Sequence, residues 1–269
     1  MNDLPIGIFD SGMGGLTVLR ALIERLPDEQ FIYLGDTARL PYGTKSAETV
    51  SRYSVQAASV LVRRGVKLLV IACNTASSVA LPVLEAAFAP TPVIGVITPG
   101  AQAAVAAAPD GPILVIATEG TVKGGAYLRA IHARAPNANV IQHACPLFVS
   151  LAEEGLVDGE IAIAIARHYL SPLLEQTPKC LVLGCTHFPV LRNVIAGIAG
   201  PDVTLVDSAA TIAAAVATEL TQRTLLRERE QSSCHQFLVT DAPERFARTG
   251  EVFLGAPIDP RAVELVDVQ

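Results

Sequence analysis

The sequence predicts an α/β protein of two pseudo-symmetric lobes, each a mostly parallel sheet flanked by helices, with the active site in the cleft between the lobes. Three observations carry that expectation. Short β-type runs alternate with helical stretches, which is the pattern of a parallel sheet. Those runs fall into two series of four that align at a nearly constant offset. The 269-residue composition is also strongly apolar, 51% hydrophobic against 17% charged with a mean hydropathy of +0.42, as suits strands buried on both faces.

The first run, Ile6 to Phe9, enters the turn Asp10-Ser11-Gly12-Met13-Gly14-Gly15-Leu16-Thr17. Small residues between a strand and a helix expose backbone N–H groups to an anion. The turn is neither Gly-x-Gly-x-x-Gly nor a P-loop, so a carboxylate is as good a ligand as a phosphate. Tight packing of helix on strand is the plainer reason for its glycines. Asp10 ends an apolar strand, where a bare charge is costly unless paired or used; capping the next helix is its ordinary role. The series continues with Phe31 to Leu34, Leu68 to Ala72 and Val93 to Ile97.

The second series runs Ile113 to Ala117, Val140 to His143, Leu181 to Gly184 and Val203 to Val206. Pro112 stands 107 residues after Pro5, Cys185 112 after Cys73, and Val206 110 after Val96. Leu19-Arg20-Ala21-Leu22 likewise matches Leu128-Arg129-Ala130-Ile131. These matches read as an internal duplication, which sets two similar lobes face to face around the strand C-termini, where open α/β sheets bind ligands. Beyond residue 220 the chain turns polar through Arg223, Arg227, Glu228, Arg229 and Glu230 before Cys234, as a solvated helix face and linker. A last strand, Gln236 to Thr240, and a final helix from Ala242 are expected to complete one lobe.

A net charge of −6, with Arg63-Arg64 the nearest approach to a basic run, excludes a nucleic-acid-tracking surface. The densest apolar run, Leu68 to Cys73, is closed by Lys67 and Asn74, far short of the ~18 residues a membrane span needs. The chain opens on Met1-Asn2-Asp3-Leu4 without a basic leader, so a cytoplasmic protein is expected. Five cysteines then point to free thiols.

Cys73-Asn74-Thr75 and Cys185-Thr186-His187 hold matching places in the repeat. Each follows a buried strand and is expected to precede a helix, whose N-terminus lowers a thiol's pKa and favours thiolate. Cys145, Cys180 and Cys234 read as small buried hydrophobes. A metal site at Cys185-Thr186-His187 lacks a Cys-x-x-Cys or His-x-x-x-His partner, whereas His187 can orient or assist Cys185. Two symmetric acid–base groups around one small ligand suit removal of a proton from one face of a carbon and its return on the other. A Schiff-base cofactor would need a reachable lysine; Lys67 and Lys179 precede their strands, while position alone leaves Lys45 and Lys123 open.

Four ordered segments, Ile6 to Thr17, Asp36-Thr37-Ala38-Arg39-Leu40-Pro41-Tyr42-Gly43, Ala72-Cys73-Asn74-Thr75-Ala76 and Leu183-Gly184-Cys185-Thr186-His187-Phe188-Pro189, together resemble the glutamate racemases of the aspartate/glutamate racemase superfamily. The resemblance implies cofactor-independent interconversion of L- and D-glutamate, with no metal, supplying D-glutamate for peptidoglycan. By it, Cys73 takes the proton from D-glutamate and Cys185 from L-glutamate. Asp10, His187 and Glu153 assist them. Asp10, Ser11, Pro41, Tyr42, Gly43, Asn74, Thr75, Thr118, Thr121, Thr186 and His187 hold the substrate. Ser150 and Ala152 depart from the family's commoner Pro and Val, Gly124 stands where serine is usual, and Met13 replaces a smaller residue.

The family's crossover assigns residues 1–97 with 208–269 to one lobe and 98–207 to the other. The resemblance implies a homodimer, as relatives often are, and some relatives bind DNA gyrase or need a cell-wall precursor as activator; the short N-terminus is expected to set this chain apart from the precursor-activated type. An aspartate or other amino-acid racemase, and a two-lobed amino-acid-binding or gyrase-binding protein without turnover, are the competing readings. Following optical rotation from L-glutamate and from L-aspartate separates them.

Overall fold

The computed structural model describes residues 2–227 and 235–268; Glu228, Arg229, Glu230 and Cys234 lie outside the described residues. The first sheet is built from β1 (Ile6–Asp10), β2 (Phe31–Gly35), β3 (Leu68–Ile71) and β4 (Val93–Gly95). The second holds β5 (Ile113–Ala117), β6 (Val140–Ala144), β7 (Cys180–Gly184) and β8 (Thr204–Asp207). The chain then returns to the first sheet with β9 (Gln236–Val239) and β10 (Val263–Leu265). The sheet orders are β10-β9-β2-β1-β3-β4 and β6-β5-β7-β8, and every pairing is parallel. The order 2-1-3-4 of the first series thus recurs in the second.

Register sharpens the repeat. Ile71 lies opposite Gly95 and Leu183 opposite Asp207, so the partner of Val206 in the duplication is Ile94, at the same 112-residue offset as the cysteines. The match of Val206 to Val96 is therefore corrected. Val96 is the N-cap residue of α5 (Ile97–Ala107), and the strand expected over Val93 to Ile97 stops at Gly95. An apolar run does not distinguish a buried strand from a buried helix start, and Pro99 sits in the first turn of α5, where a missing N–H costs nothing.

Period-two alternation sorts each strand's side chains between two layers. Ile6, Ile8, Leu68 and Val70 pack under α1 (Leu16–Arg25), α11 (Ser208–Gln222) and α12 (Pro243–Leu254). Phe9, Leu69 and Ile71 face α2 (Ala47–Arg63), α3 (Asn74–Val79) and α4 (Leu81–Phe88). In the second sheet Leu114, Ile116, Leu181 and Leu183 meet α8 (Pro146–Glu153), α9 (Gly159–Leu174) and α10 (Arg192–Ala199). Val115 and Val182 meet α5 and α7 (Ala126–His132). Each such side chain stabilises the fold by ~1.5–3 kcal/mol when fully buried. Gly125, at φ +62, separates α7 from α6 (Glu119–Gly124), a left-handed turn that glycine adopts without strain.

The C-terminal expectations need four corrections. The strand expected to reach Thr240 ends at Val239, and the helix expected from Ala242 begins at Pro243. That helix is not the last element. β10 follows, a three-residue edge strand too short to stand out in the sequence, held to α2's C-terminus by Arg64 and Glu264 at 2.5 Å. Arg227 is not solvated either: its side chain is buried at the N-terminal end of the sheet. Its backbone N–H donates to Glu29 Oε1 at 3.0 Å, beside the buried Lys67–Glu29 ion pair at 2.6 Å. A buried ion pair needs further hydrogen-bond partners to offset desolvation, and the polar segment supplies them.

Candidate active site

β3 and β7 are the equivalent strands of the two sheets, and their C-terminal ends deliver Cys73 and Cys185 to one cavity of about 230 Å³. That is room for about eight water molecules at ~30 Å³ each, a small-metabolite volume. One side is formed by Ser11, the loop from Pro41 to Thr44, and Cys73-Asn74-Thr75. The other is formed by Thr118, Glu119, Pro146, Val149, Ser150 and Cys185-Thr186-His187.

The loop is held from beneath by Asp36, which is fully buried. Its carboxylate accepts the Tyr42 hydroxyl at 2.5 Å and the Thr240 hydroxyl at 2.9 Å, and the Arg39 guanidinium lies at 2.8 Å. Hydrogen bonds to a charged group contribute ~1.5–3 kcal/mol each, enough to fix the wall. Gly43 has no room for a side chain, since a Cβ there would stand 2.7 Å from Thr118 Cβ.

Cys73 caps α3, its sulfur accepting the Ala76 N–H at 3.4 Å, and its thiol donates to Ser11 Oγ at 3.5 Å. Even so, burial and the nearby Asp10 charge push this thiol up to about 12. The expectation that the helix end would favour thiolate is corrected: desolvation outweighs a six-residue helix. Cys185 precedes no α-helix directly, because a turn and a 3₁₀ segment, Phe188–Leu191, intervene before α10. Its polar neighbour is His187, with Nδ1 3.8 Å from the sulfur.

His187 Nε2 lies 3.3 Å from Glu153 Oε1, whose other oxygen accepts from Arg245 Nη2 at 3.2 Å. Burial opposes a charged imidazole, but Cys185, Glu153 and Asp10 outweigh it and raise His187 to about 10. The hydrogen bond from His187 in turn holds Glu153 below the ordinary carboxylate range, against burial. The pair therefore stands as imidazolium and carboxylate.

Asp10 is fully buried. Burial raises its pKa, opposed by His187 and by the backbone N–H groups of Gly15, Gly12 and Ser11; the Gly12 N–H donates to Oδ2 at 3.0 Å. The anion expected at the first turn is thus, in this structure, Asp10's own carboxylate. Gly15 makes room for it, since a Cβ there would lie 2.5 Å from Asp10 Cβ, and Gly14 makes room for His187, whose Nδ1 would lie 2.4 Å from a Cβ.

Of the other residues expected at the site, Thr121 lies behind the wall. Its hydroxyl stands 3.2 Å from that of Thr75 and 3.0 Å from that of Thr118, and Thr75 and Thr118 are 2.9 Å apart. Glu153 backs His187 rather than facing the cavity. Sequence reading missed Thr44, Glu119, Pro146, Val149 and Ser150 as wall residues; all but Thr44 lay in segments read for other positions. At Gly124 a Cβ would stand 2.3 Å from Ser78 Oγ, so Ser78 fills the space where a serine at 124 would go. Among the described residues no lysine lines the cavity: Lys45 and Lys123 border a neighbouring pocket, and Lys67 is spent on Glu29.

A model of the Asp/Glu/hydantoin racemase family matches residues 6–216. The chain is 53% identical over 253 residues, 94% of its own length and 93% of the relative's, to a glutamate racemase of Geobacter metallireducens. Its fold is similar to the crystal structure of glutamate racemase from Francisella tularensis in complex with D-glutamate, with a TM-score of 0.92, 38% identity, and 100% and 99% of the two chains covered. It is equally similar to the glutamate racemase isoform RacE1 of Bacillus anthracis, with a TM-score of 0.94, 36% identity and the same coverage.

Proposed function

The chain belongs to the Asp/Glu/hydantoin racemase family, and we propose that it interconverts L- and D-glutamate by proton transfer at the α-carbon between two thiols, without a cofactor. The observation that carries this reading is that Cys73 and Cys185, at equivalent strand ends of the two sheets, both line one cavity. It is supported by the glutamate racemases to which the chain is similar over nearly its whole length.

In the L-to-D direction the Cys185 thiolate takes the α-proton, so that a C–H bond breaks, an S–H bond forms and the electron pair spreads into the α-carboxylate. The Cys73 thiol then gives its proton to the opposite face, and its S–H pair remains on sulfur. A thiol raised to about 12 is protonated at rest, as this direction requires. The reverse reaction starts from the opposite protonation of the pair. Asp10, lifted by burial, and His187, held charged by Glu153, are the groups that reset protons between turnovers.

The substrate carboxylates are held by the α3 N-terminus with Asn74, by Thr186, and by the hydroxyls of Thr75 and Thr118, which Thr121 orients from behind the wall, with Ser11, Pro41, Tyr42 and Gly43 closing the cavity. In this reading the lobes are residues 1–97 with 208–269, and 98–207. The protein acts in the cytoplasm as a homodimer and supplies D-glutamate to peptidoglycan synthesis. Circular dichroism tests the activity: rotation of L-glutamate should decay to zero and that of L-aspartate should persist. Decay of aspartate alone, or of neither, would remove the assignment.

A further inference from the structure

We propose that Tyr127 is a positioning residue that fixes the orientation of the Asn74 side chain, making the cavity wall there a dedicated donor to a substrate carboxylate. The inference rests on the reading of the cavity as a glutamate site.

Asn74 follows Cys73, is 2% exposed and lines the cavity. Its Oδ1 accepts the Tyr127 hydroxyl at 2.8 Å, while its Nδ2 is buried with no partner among the described residues. A primary amide has nearly the same shape either way round, yet one end donates and the other only accepts. Which end faces the ligand decides whether it attracts or repels a carboxylate.

The phenol makes that choice. Among the described residues the Tyr127 hydroxyl has no other acceptor. Turning Asn74 over would strand the phenolic proton in a buried place and set Oδ1 against an anion, two unfavourable changes at once. Burial, with Asp207 and Cys185 nearby, pushes phenol ionisation far above its ordinary value, so the O–H is present throughout the working pH range. The ring cannot swing away. Tyr127 is fully buried, wedged where Cβ atoms on Gly100 or Gly184 would come within 3.2 and 3.1 Å of it.

The other half of the repeat has a counterpart of different effect. Thr17 on α1, one position from the equivalent of Tyr127, donates to the main-chain oxygen of Thr186 at 3.0 Å. In both halves, then, a helix between the first two strands reaches across to the residue following the opposite cysteine. Only Tyr127 sets the orientation of a side-chain group that faces the cavity.

Tyr127→Phe keeps the ring and removes the hydroxyl. Freed Asn74 should raise KM for both glutamate enantiomers about tenfold, the scale of one buried hydrogen bond, with kcat changed much less. The effect should vanish when Asn74 is absent: Tyr127→Phe/Asn74→Ala should have the KM of Asn74→Ala alone. An unchanged KM in Tyr127→Phe, or additive losses in the double variant, would overturn the proposal. A second readout needs no substrate. The Asn74 side-chain ¹⁵N–H₂ resonances, assigned by their loss in Asn74→Ala, should shift and average in Tyr127→Phe; if they stay as in the wild type, the positioning role is wrong whatever the activity. If they respond but wild-type protein does not racemise glutamate, the functional reading falls and the positioning of Asn74 stands.

Discussion

Replacing Glu153 by Gln should lower the basic limit of activity by about one pH unit. His187 rises from 6.5 to about 10, which at ~1.4 kcal/mol per unit is about 5 kcal/mol in favour of the charged ring. Cys185, Glu153 and Asp10 share that stabilisation. The amide keeps a hydrogen-bond acceptor 3.3 Å from Nε2 but loses the charge, so about a third of the total, ~1–2 kcal/mol, should go. In kcat/KM the basic limb reports the essential acid of the free enzyme; it should begin near pH 10 in the wild type and near pH 9 in the variant. Both directions must fall together, because the enantiomers have equal free energy. Stability follows the same group. A raised His187 contributes fully below its ordinary 6.5 and loses that contribution as pH rises towards 10, while Glu153, depressed, contributes above its ordinary 4.5 and loses it in acid. The melting temperature of Glu153→Gln should therefore fall most relative to wild type between pH 5 and 7 and converge with it near pH 10. The assay is a pH–rate profile with a parallel NMR titration of the His187 ring. An unmoved basic limb together with an unmoved His187 titration would refute the coupling.

Other consequences can be checked alongside. Gly14→Ala places a methyl 2.4 Å from His187 Nδ1; thermal denaturation should show a loss of ~1–3 kcal/mol, with most activity gone, and a stable, fully active variant would contradict the packing described. Glutamate should turn over with far higher kcat/KM than glutamine, whose neutral amide meets the same donors; equal values would mean that the second carboxylate is not read. Purified protein should keep its activity after hydroxylamine or a chelator, and activity restored only by pyridoxal phosphate or a metal would remove the two-thiol mechanism.

The legible part of the fold was what local pattern controls. β5, five apolar residues closed by Thr118, was placed to the residue, and the two series of strands proved to be two sheets of the same order. β10 escaped because three residues on a sheet edge carry no periodicity. Ile97 was assigned to a strand because apolarity alone does not say which way a buried chain turns. At the site, the repeat picked out Cys73 and Cys185, but not the ionisation of Cys73. That depends on burial and on Asp10, which reaches the thiol only through the sheet. The first turn looked open to a ligand anion; that its Gly12 N–H donates to Asp10, two residues back, depends on the burial of Asp10, which local pattern does not show. Tyr127 was invisible because its partner Asn74 lies 53 residues away.

The two-base account is tested most directly by the fate of the α-hydrogen in deuterated water. Starting from either enantiomer, product isolated at early times should carry about one deuterium at the α-carbon, while recovered substrate keeps its protium. The thiol that delivers the proton has exchanged with solvent and is not the one that abstracted it. Product that retains the original hydrogen would mean that a single base serves both faces, and the assignment of Cys73 and Cys185 to opposite faces would be wrong.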